Sequence, residues 1–306
     1  MINVFGHKSP DTDATCSALI WAWYLNEHTT QDATAYVLGE LNSETRFVLN
    51  HWEVSAPELL PILDAGAQVV IVDTNNSQEL PENIADTEVI QIIDHHKLVG
   101  GLETVGPVNI TMRPLACTAT VMYDLMGAHA ENLPREIAGL MLSCILSDTL
   151  EFRSPTTTPH DKDIAEKLAM SLDIDMTKYA AAMFAAKSDV SEFSDKGLIT
   201  MDSKKYDVGD KNFRVSVLET TTPQTILDRK EGIVDAITQC IAEENDVDEV
   251  LLFVVDILNE EATVFTYNDL TKQVVGASFG VTVESDTEVL PGVVSRKKQI
   301  LPALKL

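Results

Sequence analysis

The chain opens on a short apolar run, "MINVFG", and then changes period: Cys16, Leu19, Ile20 and Trp23 recur at helical spacing between Ala14 and His28. "ATAYVLG" returns to a strand pattern and leads into a second helical stretch that ends near Trp52. Two runs rich in Val and Ile follow, "AQVVIVDT" and "TEVIQIIDHH". Unbroken apolar runs of this length read as strands buried on both faces, which places them in a parallel sheet with helices over both faces.

Helical patterns then dominate, near residues 117–129, 134–149, 159–171 and 176–187. Pro134 and Pro159 sit where a first helical turn tolerates them, and Thr158 is suited to cap. The polar stretch "KSDVSEFSDKG" interrupts the pattern. Beyond it "NFRVSVLETT", "EVLLFVVDIL" and "EATVFTYND" read as strands around a helix from about Pro223 to Glu244. The 306 residues exceed the roughly 100–200 of a common domain. The expectation is therefore an α/β protein: an N-terminal parallel-sheet domain over 1–187, a linker over 188–197, and a smaller C-terminal α/β domain over 198–306 with a mixed sheet.

Composition narrows the partners. With 48 acidic and 22 basic residues the formal net charge is −26, which repels nucleic acid and anionic membranes at long range, so a phosphate-bearing ligand must be drawn by a local site. No apolar run approaches the roughly 18 residues of a membrane span, and no basic region followed by an apolar signal segment opens the chain. Cys16, Cys117, Cys144 and Cys240 are widely spaced among small or apolar neighbours, as buried reduced thiols of a cytoplasmic protein would be.

Candidate chemistry falls where apolar strands run out: His7, Asp11 and Asp13 after the first, Asp73 after "VVIV", and Asp94, His95 and His96 after "VIQII". Each taken singly reads as a helix cap or a packed imidazole. Ligands of open parallel sheets bind outside the carboxyl ends of the strands, so the three clusters converge on one crevice. Carboxylate and imidazole donors without thiolate suit Mn²⁺ or Mg²⁺, with Co²⁺ or Zn²⁺ also allowed. Two ions about 3.5–4 Å apart, bridged by one carboxylate, would use so many donors and would clamp both oxygens of a phosphoryl displacement.

His7-x3-Asp11-x-Asp13, Asp73 and the triplet Asp94-His95-His96 resemble the successive motifs of the DHH phosphoesterase superfamily. "DSK" at 202–204, "SRKKQ" at 295–299 and "ILSDTLEFRSPTTT" at 145–158 resemble the family II, manganese-dependent inorganic pyrophosphatases in its short form. The resemblance implies hydrolysis of inorganic pyrophosphate to two phosphates by a metal-bridged hydroxide at a dinuclear site in the cleft between the domains. It implies one metal on His7, Asp11 and Asp73, and a second on Asp13, Asp73, His95 and Asp148. His96 would contact the oxygen between the phosphates and protonate the departing one; Asp94 would orient a ligand histidine; Lys204, Arg296 and Lys297 would hold phosphoryl oxygens. Because adjacent side chains of a strand point oppositely, His95 and His96 are expected to face different ways. The implied cofactors are two Mn²⁺, with Co²⁺ or Mg²⁺ able to substitute, and a further Mg²⁺ arriving with the substrate. The implied assembly is a cytoplasmic homodimer with no nucleic-acid or membrane partner.

After Asp73 the chain reads Thr74-Asn75-Asn76, where many members of that family are expected to carry His-Asn-Glu. The competing functions are a phosphodiesterase or phosphatase of short oligonucleotides or 3'-phosphorylated nucleotides, and a catalytically silent metal-binding module. The "SRKKQ" terminus argues against the first, and the intact ligand set against the second.

Overall fold

The computed structural model describes residues 1–99, 101–191, 193–244 and 246–305, with the side chain of Lys297 outside that description. The chain divides into two compact units, Met1–Ala186 and Lys187–Leu306.

Unit 1 contains β1 (Ile2–Phe5), α1 (Thr12–His28), β2 (Ala33–Val37), α2 (Ser43–His51), β3 (Glu58–Leu59), β4 (Gln68–Val72), β5 (Glu88–Asp94) and β6 (Asn109–Met112). The helices α3 (Thr118–Met126), α4 (Arg135–Thr149), α5 (Pro159–Leu172) and α6 (Met176–Lys187) follow. The strands form one all-parallel sheet in the order β3-β2-β1-β4-β5-β6. The chain winds from β1 outward to β3, then restarts beside β1 with β4 and winds the other way. The switch point thus lies between β1 and β4, the place where such sheets bind ligands at their carboxyl ends.

Parallel strands need both faces covered. Phe5, Val69 and Ile71 pack with Leu63, Leu80 and Ile84 around two short 3₁₀ turns, Ser77–Glu79 and Ile84–Asp86. Val4 and Val70 alternate with them and are fully buried, while α1 and α3 cover the sheet. Thr158 caps α5 through a capping box with Asp161, and Pro159 occupies its first turn. Trp52 lies against α4, where a Cβ on Gly139 would stand 2.1 Å from the indole ring. Its Nε1 donates to Tyr179 Oη at 2.7 Å and to Ser143 Oγ at 3.1 Å.

Unit 2 contains α7 (Asp195–Met201), β7 (Ser203–Val208), β8 (Lys211–Thr220), α8 (Gln224–Leu227), α9 (Lys230–Glu243), β9 (Glu249–Asp256), β10 (Glu261–Phe265), α10 (Asp269–Phe279), β11 (Thr287–Pro291) and α11 (Leu301–Ala303). Its sheet runs β11-β10-β9-β8-β7 and is mixed: β8 and β9 are parallel and the remaining pairs antiparallel. Every residue of β9, "EVLLFVVD", is buried, because alternate side chains feed two cores. Val250, Leu252 and Val254 face α9, whereas Leu251, Phe253 and Val255 pack with α10 residues Val274 and Val275. The run "EATVFTYND" does not continue as one strand: β10 stops at Phe265 because Asn268 caps α10 in a capping box with Thr271.

Candidate metal centre

The loop after β1 begins at Gly6, where a Cβ would stand 2.8 Å from that of Ala14, so the absence of a side chain lets α1 start directly against the strand end. Asp11 is the N-cap of α1: one oxygen accepts from Ala14 N at 2.9 Å. The other lies 3.6 Å from His7 Nε2, so capping uses only half of this carboxylate. Asp13, 1 % exposed, accepts from Ser17 Oγ at 2.9 Å. It also accepts from the Thr118 and Ala119 amides at 2.7 and 3.3 Å, tying α1 to the start of α3.

Asp73 stands just past β4 in the left-handed backbone region, φ 59°, which Asp tolerates better than most side chains. Its amide is fixed to the Ile93 carbonyl at 2.9 Å and its Oδ1 accepts from Thr118 Oγ1 at 3.0 Å. Oδ2 faces His7 Nε2 at 3.5 Å and Oδ1 faces His95 Nε2 at 3.3 Å. The two oxygens of one buried carboxylate are thus divided between two clusters. Burial alone would raise its pKa, but His7 and His95 hold it well below the usual carboxylate range.

Asp94 closes β5 and is fully buried. Its Oδ1 accepts from the His95 amide at 2.8 Å, the His96 amide at 3.1 Å and His96 Nδ1 at 2.9 Å, and its Oδ2 from Asn75 Nδ2 at 2.5 Å. These bonds lower its pKa against the effect of burial. Because β5 ends at Asp94, strand alternation does not govern the two histidines that follow. Their rings lie 4.2 Å apart, and His96 Nδ1 approaches Asp73 Oδ1 to 3.7 Å, so the expectation that they face different ways does not hold. His95 Nδ1 bonds the Leu115 carbonyl at 3.1 Å. A carbonyl only accepts, so Nδ1 carries a proton, and Nε2 is the ring nitrogen turned toward Asp73, Asp148 at 3.9 Å and Asp13 at 4.0 Å.

Asp148, in the last turn of α4, is followed by Leu150, Glu151 and Phe152, all left-handed at φ 48°, 51° and 68°. Burial and the neighbouring Asp13 and Asp73 push its carboxyl well up, and Asp13 is raised by burial and by Asp73 and Asp11. Burial pulls His7 down, but the carboxylates of Asp11 and Asp73 outweigh it and lift the imidazole to about 10. His95 is likewise lifted to about 9, chiefly by Asp73 and Asp13 against burial. His96 is raised by its bond to Asp94. The ion pairs described within the cluster all join His to Asp. Asp13 and Asp148, both pushed upward by burial among neighbouring carboxylates, are short of positive charge, which is the electrostatic demand a divalent cation meets.

Donor atoms of His7, Asp11 and Asp73 lie within 4.8 Å of one another, as do those of Asp73, His95 and His96, and those of Asp13, Cys117 and Asp148. A cleft of about 630 Å³ adjoins the first two groups, with His7, Asp73, Thr74, Asn75, His96 and Lys97 in its lining. Sequence reasoning did not single out Thr118, Cys117 or the Leu115 carbonyl, which reach the site only through packing of α3. Nor did it see how Asn75 works: it donates to Asp94 and the Lys97 carbonyl and accepts from the Val99 amide at 2.8 Å, so it staples the loop after β5. Thr74 Oγ1 donates to Glu79 at 2.7 Å, away from the donors.

Within unit 2, Lys204 is exposed on β7 and Arg296 donates to the Asp202 carbonyl at 2.9 Å and to its carboxylate at 2.7 Å. The "DSK" and "SRKKQ" segments therefore meet. Lys297 follows Arg296 within the "SRKKQ" segment, and its side chain falls outside the described residues.

Residues 1–145 match the DHH family N-terminal domain and residues 181–306 the DHHA2 domain. A protein of Deinococcus radiodurans named as a probable manganese-dependent inorganic pyrophosphatase is 40% identical over 310 residues, covering 100% of this chain and 98% of its own. One of Staphylococcus saprophyticus with the same name is 37% identical, covering 98% and 96%. A Methanococcus jannaschii structure assigned to the family II inorganic pyrophosphatases superposes with a TM-score of 0.62 at 33% identity, covering 99% and 98%. With likeness of this extent over both units, the chain belongs to the DHH-family, manganese-dependent (family II) inorganic pyrophosphatases.

Proposed function

We propose that this enzyme hydrolyses inorganic pyrophosphate to two phosphates at a dinuclear manganese centre. His7, Asp11 and Asp73 would hold one ion, and Asp13, Asp73, His95 and Asp148 the other. The observation that carries the reading is the division of Asp73, with one oxygen toward each cluster. When bound, the ions would neutralise charge on the diphosphate and lower the pKa of a nucleophilic water, and Co²⁺ or Mg²⁺ would be able to stand in. A further Mg²⁺ accompanies the substrate.

The chain's own groups do the rest. Asp94 accepts from His96 Nδ1, so the ring is oriented with Nε2 outward; raised in pKa, it holds a proton there and passes it to the departing phosphate. Lys204, Arg296 and Lys297 of unit 2 hold the phosphoryl oxygens, the Arg296 fork being partly fixed beforehand by Asp202. Among the described residues that line the cleft beside His7, Asp73 and His96 there is no Phe, Tyr or Trp to stack a base, which disfavours oligonucleotide substrates.

All four cysteines are free and buried, which suits a reducing cytoplasm, and no helix among the described residues is long and apolar enough to cross a membrane. The homodimer follows from the family resemblance and is checked by solution mass. The deciding test is phosphate release by the manganese-loaded protein from pyrophosphate, a dinucleotide and a 3'-phosphorylated nucleotide. Pyrophosphate should be the preferred substrate by far; release from the nucleotides alone would overturn the proposal.

A further inference from the structure

Cys117 occupies the N-cap of α3, a position where Ser, Thr, Asp or Asn commonly accepts a bond from the first free amides, yet its side chain makes none. Asp13 takes that role from α1 by accepting from the Thr118 and Ala119 amides. The thiol is thereby freed from capping and turned to the carboxylates. Its sulfur lies with one oxygen each of Asp13 and Asp148 within 4.8 Å, close to the roughly 4.5 Å that two donors across one ion can span. Cys117 is itself fully buried in contact with Cys144, which also touches Cys16, so sulfur backs this side of the metal centre. Asp148, with a side chain 20% exposed, offers the way in.

We propose that Cys117, Asp13 and Asp148 form a site for thiophilic divalent ions, Cd²⁺ above all, overlapping the second of the two manganese positions. Manganese prefers oxygen and imidazole donors and gains little from sulfur, whereas a soft ion recruits thiolate. Cadmium would bind as the thiol releases its proton to solvent, and would take Asp13 and Asp148 away from manganese. The overlap rests on the dinuclear reading given above; the thiolate site does not.

The test titrates metal-free full-length protein with Cd²⁺, reading the ultraviolet sulfur-to-cadmium charge-transfer band, while Mn²⁺ binding to the same preparations is counted by electron paramagnetic resonance. The unaltered protein and Cys240→Ser should show the band; Cys117→Ser should lose it, with cadmium affinity falling at least about tenfold. No band in the unaltered protein, or an undiminished band in Cys117→Ser, overturns the inference. Should Cys117→Ser fail to fold, cadmium-113 resonance of the unaltered protein decides: a thiolate-type shift supports the site and a shift typical of oxygen and nitrogen donors alone overturns it. A thiolate band without any Mn²⁺ binding would sink the dinuclear reading and leave the thiolate site standing.

Discussion

Asp94→Asn tests how the two histidines are held. The carboxylate is fully buried and accepts four hydrogen bonds, three at Oδ1 and one at Oδ2. An asparagine can keep the three donors at its oxygen, but its amide then meets the amide of Asn75. Asn75 cannot flip to relieve this without breaking its bonds to the Lys97 carbonyl and the Val99 amide. Turning the new residue over would instead oppose three donors. A buried donor left unpaired costs about 1–3 kcal/mol, and three bonds that lose their charge assistance weaken further, so the loss should be at least about 2 kcal/mol. All three tryptophans, Trp21, Trp23 and Trp52, lie in unit 1, so urea unfolding followed by their fluorescence reports on it.

The pH dependence has a defined sign. His96 is raised, so its contribution is full below the ordinary imidazole pKa and is lost as pH rises through the raised one. Asp94 is lowered, so its contribution is present above the ordinary carboxylate pKa and is lost as pH falls through the depressed one. The gap between parent and variant should therefore be widest in mild acid and narrow toward alkaline pH, although solvent at the half-exposed His96 damps this part. Manganese affinity should fall about ten- to a hundredfold because the bond that anchors the His95 amide loses its charge assistance. A variant within about 0.5 kcal/mol of the parent that still binds manganese normally would refute the reasoning.

Asp73→Ala should abolish binding of both ions, whereas Asp11→Ala should weaken one; equal losses, measured as metal per chain, would remove the bridging role. With His7 lifted to about 10 and His95 to about 9, both are protonated in the metal-free protein at neutral pH. Manganese uptake should then release protons and tighten as pH rises from 6 toward 9, roughly, which calorimetry in buffers of different ionisation enthalpy would register. Gly139→Ala should cost about 1–3 kcal/mol in the same urea assay, because the new methyl meets the Trp52 ring. Arg296→Ala should retain both ions and lose roughly ten- to a hundredfold in kcat/KM for pyrophosphate; near-normal turnover would exclude unit 2 from substrate binding.

What the sequence discloses of this protein depends on how local the cause is. β1, β4 and β5 are legible because burial on both faces demands unbroken apolar runs, and Asp73 is legible because it ends one. β6, with two of its four residues exposed, and the two-residue β3 carry no such signal; they are edge strands defined by their neighbours. Asn268 is a cap hidden behind an apolar run, which made residues 266–269 look like continued strand. Cys117 reads as a plain buried thiol, since its approach to Asp13 and Asp148 arises from the packing of α1, α3 and α4, segments far apart in the chain. The mutual orientation of His95 and His96 was misread because it depends on the residue at which β5 stops.

The switch point between β1 and β4 also dictates an order of events during synthesis. A chain emerging from its N-terminus can pair β1 with β2, but the other edge of β1 stays open until β4 exists, and no local hairpin can fill it. His7, Asp11 and Asp13 therefore leave the ribosome long before Asp73 closes over them, and Asp148 is the last of the proposed ligands to arrive. A nascent chain halted before α4 is complete carries an acidic, unfinished crevice, so full metal loading waits for translation of most of unit 1 and cannot nucleate its earliest folding.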